Sequence, residues 1–102
     1  MIDFGRIAGF DWDYGNDRKN KNLDKHGVSQ LQAEQALTDL EVLVVPDRKH
    51  SGSELRYHAL GRTAEGLVLQ LTFTLRDDGR KLRVISARAA NRKERAVYEQ
   101  EA

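Results

Sequence analysis

The chain has no cysteine, one proline and three histidines among its 102 residues. Without cysteine it can form no disulfide framework, no thiolate nucleophile and no cysteine-liganded metal site. Three histidines scattered along the chain are also a poor zinc cluster. One proline, with 39% hydrophobic and 32% charged residues, excludes the disordered, collagen-like and low-complexity classes. We therefore expect a small globular protein that uses no metal or cofactor.

Long hydrophobic runs are missing as well. No segment approaches the roughly 18 apolar residues that a membrane-spanning helix needs. Residues 1–5 lack the basic and then apolar layout of a secretory signal. These features predict a cytoplasmic protein. The length suits one compact core, so we expect a single domain over residues 1–102.

Charge is unevenly distributed although the whole chain is only +1. Residues 76–95 hold eight basic and three acidic side chains, a net charge of +5, whereas residues 29–58 and 96–102 are each −2. Such a segment creates a local positive field, and phosphate-bearing ligands are its commonest partners. The alternative is a solvated basic surface without a ligand.

Alternating apolar and polar residues predict an antiparallel sheet. Residues 67–76 put leucines and Phe73 on one side of a strand and polar side chains on the other. The sequence DDGR at residues 77–80 has turn chemistry, and residues 82–88 read as a β-branched strand. These three segments predict a β-hairpin. Residues 55–63 add a third strand to the meander.

The sequence predicts two further strands. Residues 41–45 form a fourth strand that should stop at Pro46, with residues 47–53 as a polar connection. Residues 10–13 suggest a short edge strand.

Three helices complete the predicted fold. Ser29 and Gln32 form a capping box ahead of an amphipathic pattern, which predicts a helix over about residues 30–39 that covers the apolar side of the sheet. Residues 16–26, followed by Gly27, predict a helix before it.

The last helix is short. Asn91 and Glu94 are spaced as a cap, and Val97 and Tyr98 are the expected docking residues. The predicted class is α+β: an antiparallel sheet of a three-strand meander plus one or two further strands, two N-terminal helices and a short C-terminal helix.

The predicted hairpin concentrates basic and hydroxyl side chains on its polar face. Arg76, Thr72 and Thr74 lie opposite the leucines, near Arg83 or Arg88 of the partner strand. Guanidinium groups bind phosphate bidentately and stabilise charge that develops on phosphorus, which suits phosphodiester chemistry. Alternatively these arginines only solubilise the hairpin or pair with the acidic residues of its turn.

Histidines are the natural proton carriers near neutral pH. His26 ends a predicted helix in a basic stretch that includes Lys19 and Lys25. A capping or packing role fits it equally well. His58 shares a strand face with Arg56 and Arg62, and His50 lies in a loop.

Several sequence blocks match a known family. They are FDWD at residues 10–13, NLDKHGVS at 22–29, ELRYHALGR at 54–62, and RVISARAA at 83–90 running on to RKER at 92–95. In this order and spacing the chain resembles the BrnT family of type II toxins, small ribonucleases of RelE-like fold that pair with a DNA-binding antitoxin.

The resemblance implies RNA cleavage in which the substrate's own 2′-hydroxyl attacks the adjacent phosphate without a metal. Such a reaction needs in-line positioning, stabilisation of the phosphorane and a proton donor for the 5′-oxygen. We expect Arg76 and Arg88 to contact the phosphorane and His26 to carry the proton. Other basic residues would hold neighbouring phosphates: Lys19, Lys25, Arg56, Arg83 and Arg92.

One departure from the family pattern concerns Leu75. Many relatives carry an acidic residue before the arginine that matches Arg76, so a carboxylate base is absent here. Two alternatives to an active toxin stay open: a non-catalytic nucleic-acid-binding module of the same fold, and a structural partner that only binds an antitoxin.

Overall fold

The structure is a computed structural model that describes residues 4–12, 27–49, 52 and 54–101. Its elements in chain order are a 3₁₀ turn (Phe4–Arg6), β1 (Gly9–Phe10), α1 (Gln30–Leu37), β2 (Leu43–Asp47), β3 (Arg56–Arg62), β4 (Val68–Arg76), β5 (Lys81–Ala89) and α2 (Arg92–Glu101). The strands form one sheet in the order β1-β5-β4-β3-β2, in which only β1 runs parallel to its neighbour. The α+β class is confirmed. The helix expected over residues 16–26 lies outside the described residues.

The β3-β4-β5 meander is confirmed. Asp77, Asp78 and Gly79 adopt φ values of 53°, 56° and 81° in the β4–β5 turn. Residues with short polar side chains, and glycine above all, tolerate this left-handed region, which explains the DDG sequence. The register shifts between Thr72 and Phe73, which lie opposite Ser86 and Val84, so the β4–β5 pairing contains a β-bulge.

Helix α1 packs on the apolar side of the sheet as expected. The Ser29 hydroxyl accepts from the Gln32 amide, and the Gln32 side chain accepts from the Ser29 amide, which is the predicted capping box. The helix ends at Leu37, two residues earlier than expected. The chain turns there because the Asp39 carboxylate accepts the backbone amides of Glu41 and Arg62, which ties it to β3.

The closest approach of α1 to the sheet is at Gly61 of β3. A Cβ built on Gly61 would lie 2.0 Å from the backbone oxygen of Ala36. Only glycine, which has no Cβ, allows the backbone of α1 to lie this close to β3. Beneath it the core is built from fully buried side chains of the strands, among them Leu69, Leu71 and Phe73.

The expectation that β2 ends at Pro46 is wrong. β2 continues to Asp47, with Pro46 opposite Tyr57 and Asp47 opposite Arg56. Proline is tolerated here because β2 is the last strand of the sheet and its outer side needs no donor. Consequently Asp47 belongs to the sheet rather than to the following connection.

Helix α2 packs on the other face of the sheet, at one end. Its cap is as predicted: Asn91 and Glu94 each accept the other's backbone amide. Tyr98 is 1% exposed and packs with Val68. Val97 is 47% exposed, so the expectation that it docks with Tyr98 is wrong.

The Tyr98 hydroxyl donates to Oδ2 of Asp39 at 2.5 Å. Burial and this bond raise the pKa of Tyr98 to about 12. Burial alone would raise the pKa of Asp39, but the bonds from Tyr98 and from two backbone amides outweigh it and lower that pKa. One carboxylate thus joins the end of α1, β3 and α2.

The N-terminal edge strand is shorter than expected. β1 covers Gly9 and Phe10, opposite Lys81 and Leu82 of β5. Trp12 follows outside the strand and donates its indole N–H to Glu34 of α1. Residue 13 lies outside the described part of the chain. No described helix is long and apolar enough to cross a membrane.

Candidate functional site

The sheet face opposite α1 is only partly covered. Alternation along β4 turns Leu69, Leu71 and Phe73 towards α1, so the residues between them face the other way. Helix α2 covers one end of that second face through Tyr98. We call the remainder the open face; its polar side chains across the strands are Asp47, Arg56, His58, Gln70, Thr72, Thr74, Arg76, Lys81, Arg83, Ser86 and Arg88.

One row of the open face runs through Thr74. Arg56 is opposite Thr74 on β3 and Arg83 is opposite it on β5. Neighbouring strands are about 4.8 Å apart, so the two arginines start about 10 Å from each other. The Thr74 hydroxyl donates to the Leu55 carbonyl and is buried, whereas Arg56 is exposed. The row can hold an anion between two guanidinium groups.

Arg83 is the more enclosed of the two. Its side chain is 16% exposed and one guanidinium nitrogen lies 4.0 Å from Asp11 Oδ2. Asp11 follows β1, the edge strand beside β5. A partly enclosed guanidinium is held more firmly than a fully solvated one, because fewer rotamers are open to it.

Arg76 and Arg88 lie far apart along the sheet. Arg76 ends β4 opposite Lys81, whereas Arg88 is opposite Gln70, six residues earlier on β4. At about 3.3 Å per residue their backbones are separated by about 20 Å. At this separation the two guanidinium groups do not contact the same phosphate. The Arg76 Nε is 3.3 Å from Glu54 Oε2 but, within the described part of the chain, this buried nitrogen makes no hydrogen bond.

Arg88 forms a bidentate pair with Glu94. The two guanidinium nitrogens lie 2.7 and 2.9 Å from the two carboxylate oxygens. The bond from Glu94 raises the pKa of Arg88, and the bond from Arg88 lowers the pKa of Glu94. Since Glu94 also caps α2, the pair fixes that helix to β5.

At the centre of the open face His58 joins three polar side chains. Its Nε2 lies 2.9 Å from Oδ2 of Asp47, which is 8% exposed. Its Nδ1 lies 3.0 Å from the Thr72 hydroxyl and 3.0 Å from the Gln70 side-chain amide nitrogen. A carboxylate only accepts, so Nε2 carries the proton and Nδ1 of the neutral ring is an acceptor. The His58 side chain itself is 39% exposed.

A cavity of about 440 Å³ opens beside this histidine. Its polar side is formed by His58, Gln70, Arg88 and Glu94, and its apolar side includes Val45, Leu60 and Val97. A proton acceptor and a guanidinium group therefore face the same space. In the described residues no group of three or more His, Asp or Glu side chains is arranged to hold a metal ion.

The remaining expected site residues are placed as follows. Lys19, Lys25 and His26 lie outside the described residues. Arg92 is the exposed first residue of α2, beyond the covered end of the sheet. Of the eight expected residues, the structure thus brings Arg56, Arg76, Arg83 and Arg88 onto one face, spread over its length.

Sequence reasoning missed the pairing of Asp47 with His58. It put His58 on the correct face but ended β2 at Pro46, which left Asp47 in a loop. The signal was the tolerance of edge strands for proline. Leu75 packs against the core opposite Leu82, so a carboxylate at this position would not face the arginines.

Comparison with known proteins identifies the family. The sequence profile described as the ribonuclease toxin BrnT of type II toxin-antitoxin systems matches residues 12–94. The chain belongs to the BrnT toxin family. Its members are ribonuclease toxins, and membership implies an antitoxin partner and an RNA substrate.

A solved BrnT structure has the same fold. The crystal structure of the Brucella abortus ribonuclease toxin BrnT superposes with a TM-score of 0.59 and 23% sequence identity, over 82% of this chain and 97% of that one. A search of curated proteins finds no match.

Proposed function

We propose that this BrnT-family protein is an endoribonuclease that cleaves RNA on the open face without a metal ion. The observation that carries the proposal is the set of four arginines on one exposed side of the sheet in a chain of this family. Because its substrate is RNA, we propose that it acts in the cytoplasm.

The chemistry we propose is transesterification. The 2′-oxygen of the substrate attacks the adjacent phosphorus, the bond from phosphorus to the 5′-oxygen breaks, and the products carry a 2′,3′-cyclic phosphate and a 5′-hydroxyl. The attack needs in-line geometry and a counter-charge for the phosphorane. Guanidinium groups supply that charge without changing protonation state at neutral pH.

Arg88 is our candidate for contact with the phosphorane, and Arg76 is our candidate for a second phosphate contact. Arg88 is favoured by its position on the cavity beside His58. The distance of about 20 Å between the two backbones, six residues along the strand, supports a division of roles in which Arg76 binds a more distant phosphate. His26 is our candidate for the group that protonates the 5′-oxygen.

The other basic residues supply affinity in this proposal. Arg56 and Arg83 flank Thr74 and would hold the phosphates on either side of it, and Arg92 would hold another at the start of α2. Lys19 and Lys25 would add contacts from the segment before α1. Phosphate contacts position a strand without reading its sequence.

We further propose that the antitoxin inhibits the toxin by covering the open face. An acidic segment of the antitoxin would occupy the sites that bind RNA phosphates. The complex would bind operator DNA through the antitoxin. Toxin and antitoxin would then form a hetero-oligomer in which cleavage is blocked.

The test is cleavage of end-labelled single-stranded RNA by the purified chain, freed of antitoxin, in EDTA. We expect cyclic-phosphate and 5′-hydroxyl ends, and a large loss of rate in Arg88→Gln. Arg80→Gln, in the β4–β5 turn, is the control for removal of one positive charge. Binding that is tight and salt-sensitive without any cleavage would instead indicate a non-catalytic RNA-binding module. Absence of RNA binding would leave an antitoxin-binding role.

A further inference from the structure

The structure contains an acid-base pair that the family assignment does not name. We propose that His58, held by Asp47, is the general base that removes the proton from the attacking 2′-hydroxyl. This inference rests on the proposed function, because it assigns a step of that cleavage reaction. It gives a catalytic role to His58, which the sequence placed on a strand face with Arg56 and Arg62 without a role in the reaction.

The first argument is the orientation of the ring. Asp47 Oδ2 accepts the Nε2 proton at 2.9 Å, which fixes the tautomer with its lone pair on Nδ1. The Gln70 side-chain amide nitrogen and the Thr72 hydroxyl, each 3.0 Å from Nδ1, can both donate to that lone pair. The nitrogen that points away from Asp47 is thus the basic one.

The second argument is the burial of the carboxylate. Asp47 is 8% exposed, whereas the His58 side chain is 39% exposed. A buried carboxylate on the far nitrogen stabilises the imidazolium that forms when the ring takes a proton. The His58 side chain lines the cavity beside Arg88, so a substrate there can reach the ring. A histidine with only a structural role does not need a buried carboxylate on one nitrogen and an accessible acceptor on the other.

The third argument is the surroundings. His58 and Arg88 line the same cavity of about 440 Å³. A ribose whose phosphate contacts Arg88 could therefore present its 2′-hydroxyl to Nδ1, in place of the Thr72 hydroxyl that now lies 3.0 Å away.

The step balances as follows. Nδ1 takes the 2′-hydroxyl proton while the 2′-oxygen bonds to phosphorus, and the 5′-oxygen leaves with a proton from His26 or solvent. The imidazolium then returns its proton to solvent. The charged groups that face His58 are Asp47 from β2, Arg56 from β3, Arg88 from β5 and Glu94 from α2.

The test compares His58→Gln with the wild type in single-turnover RNA cleavage across pH. General-base catalysis contributes about 10²- to 10⁴-fold, so we expect a loss of at least about 100-fold. The wild-type rate should rise with pH as the base loses its proton, and this rise should be absent from the variant. The control is His50→Gln, which removes another histidine of the chain, and its rate and profile should match the wild type.

Chemical rescue distinguishes catalysis from structure. In His58→Ala, added imidazole should restore cleavage in proportion to its unprotonated fraction, whereas a merely structural histidine would not be replaced in this way. If His58→Gln does not fold, His58→Ala with rescue and Asp47→Asn, which keeps the ring but removes the buried charge, carry the test. We expect Asp47→Asn to lose at least about tenfold.

Three outcomes overturn the inference. Cleavage by His58→Gln at the wild-type rate, with cyclic-phosphate ends, removes His58 from the mechanism and leaves the proposed function intact. Loss of cleavage in His58→Ala that imidazole does not restore, in a folded protein that still binds RNA, assigns His58 a positioning role. Failure of the wild type itself to cleave RNA overturns the proposed function together with this inference.

Discussion

The Arg88–Glu94 pair is a bidentate ion pair whose contribution to stability can be estimated from its geometry. Its two hydrogen bonds are 2.7 and 2.9 Å, and the side chains are 40% and 25% exposed. Exposed ion pairs contribute about 0.2–1 kcal/mol, and bidentate geometry with partial burial increases the value. We expect a coupling energy of about 1–1.5 kcal/mol between the two side chains.

A double-mutant cycle measures this coupling. The variants are Arg88→Gln, Glu94→Gln and both together, each unfolded in urea at pH 7 and followed by circular dichroism. Glutamine at residue 94 can still accept the Asn91 amide, so the cap of α2 is retained and the cycle reports the ion pair.

The pH dependence gives a second signature. Because Arg88 lowers the pKa of Glu94, the coupling is fully present above the ordinary Glu value of about 4.5 and is lost as the pH falls below it. A coupling under about 0.3 kcal/mol at pH 7, or one that does not change down to pH 3, would refute the reasoning.

The same pair links stability to RNA binding. If Arg88 binds phosphate, Glu94→Gln releases its guanidinium and removes a repelling charge, so RNA affinity at low salt should rise at least about twofold. Unchanged or weaker affinity in a folded Glu94→Gln protein would argue against a phosphate contact by Arg88.

Three further predictions follow from the fold and the open face. Gly61→Ala should destabilise the protein by about 1–3 kcal/mol in urea unfolding, because its Cβ would lie 2.0 Å from the Ala36 oxygen; a change under about 0.5 kcal/mol would mean that α1 moves freely. Tyr98→Phe should cost about 1.5–3 kcal/mol at pH 7, because it removes the bond to the Asp39 carboxylate. Since the Tyr98 pKa is raised to about 12, the wild type should lose stability as pH rises from about 10 to 12, and the variant should lack this component. Arg83→Gln should reduce the slope of log K against log salt for single-stranded RNA by about 0.7, the value for one phosphate contact, whereas Arg80→Gln should leave the slope unchanged.

Local sequence signals predicted most of the described fold. The alternation of residues 67–76, the DDG turn and the caps at Ser29 and Asn91 each act over a few residues, and all are observed. The errors came from tertiary contacts. Asp39 ends α1 early because it binds the amide of Arg62, which is 23 residues away in sequence.

The site was predicted less completely than the fold. Alternation along the strands predicted which arginines share a face of the sheet, because side chains two residues apart lie on the same side of a strand. It could not indicate that Arg88 is held by Glu94, or that Asp47 reaches His58 across β2 and β3, since both contacts depend on register and on the packing of α2. The contributions of Lys19, Lys25 and His26 stay predictions.

The most direct test of the central claim is cleavage of an RNA in which a single nucleotide at a mapped cleavage site carries a 2′-deoxyribose. The assay uses the wild-type chain in EDTA, with the all-ribose RNA as the control. If the substrate's 2′-oxygen is the nucleophile, cleavage at that one position should disappear while neighbouring sites are cut normally. Cleavage that persists after the deoxy nucleotide would contradict the account, because another nucleophile would then attack the phosphate.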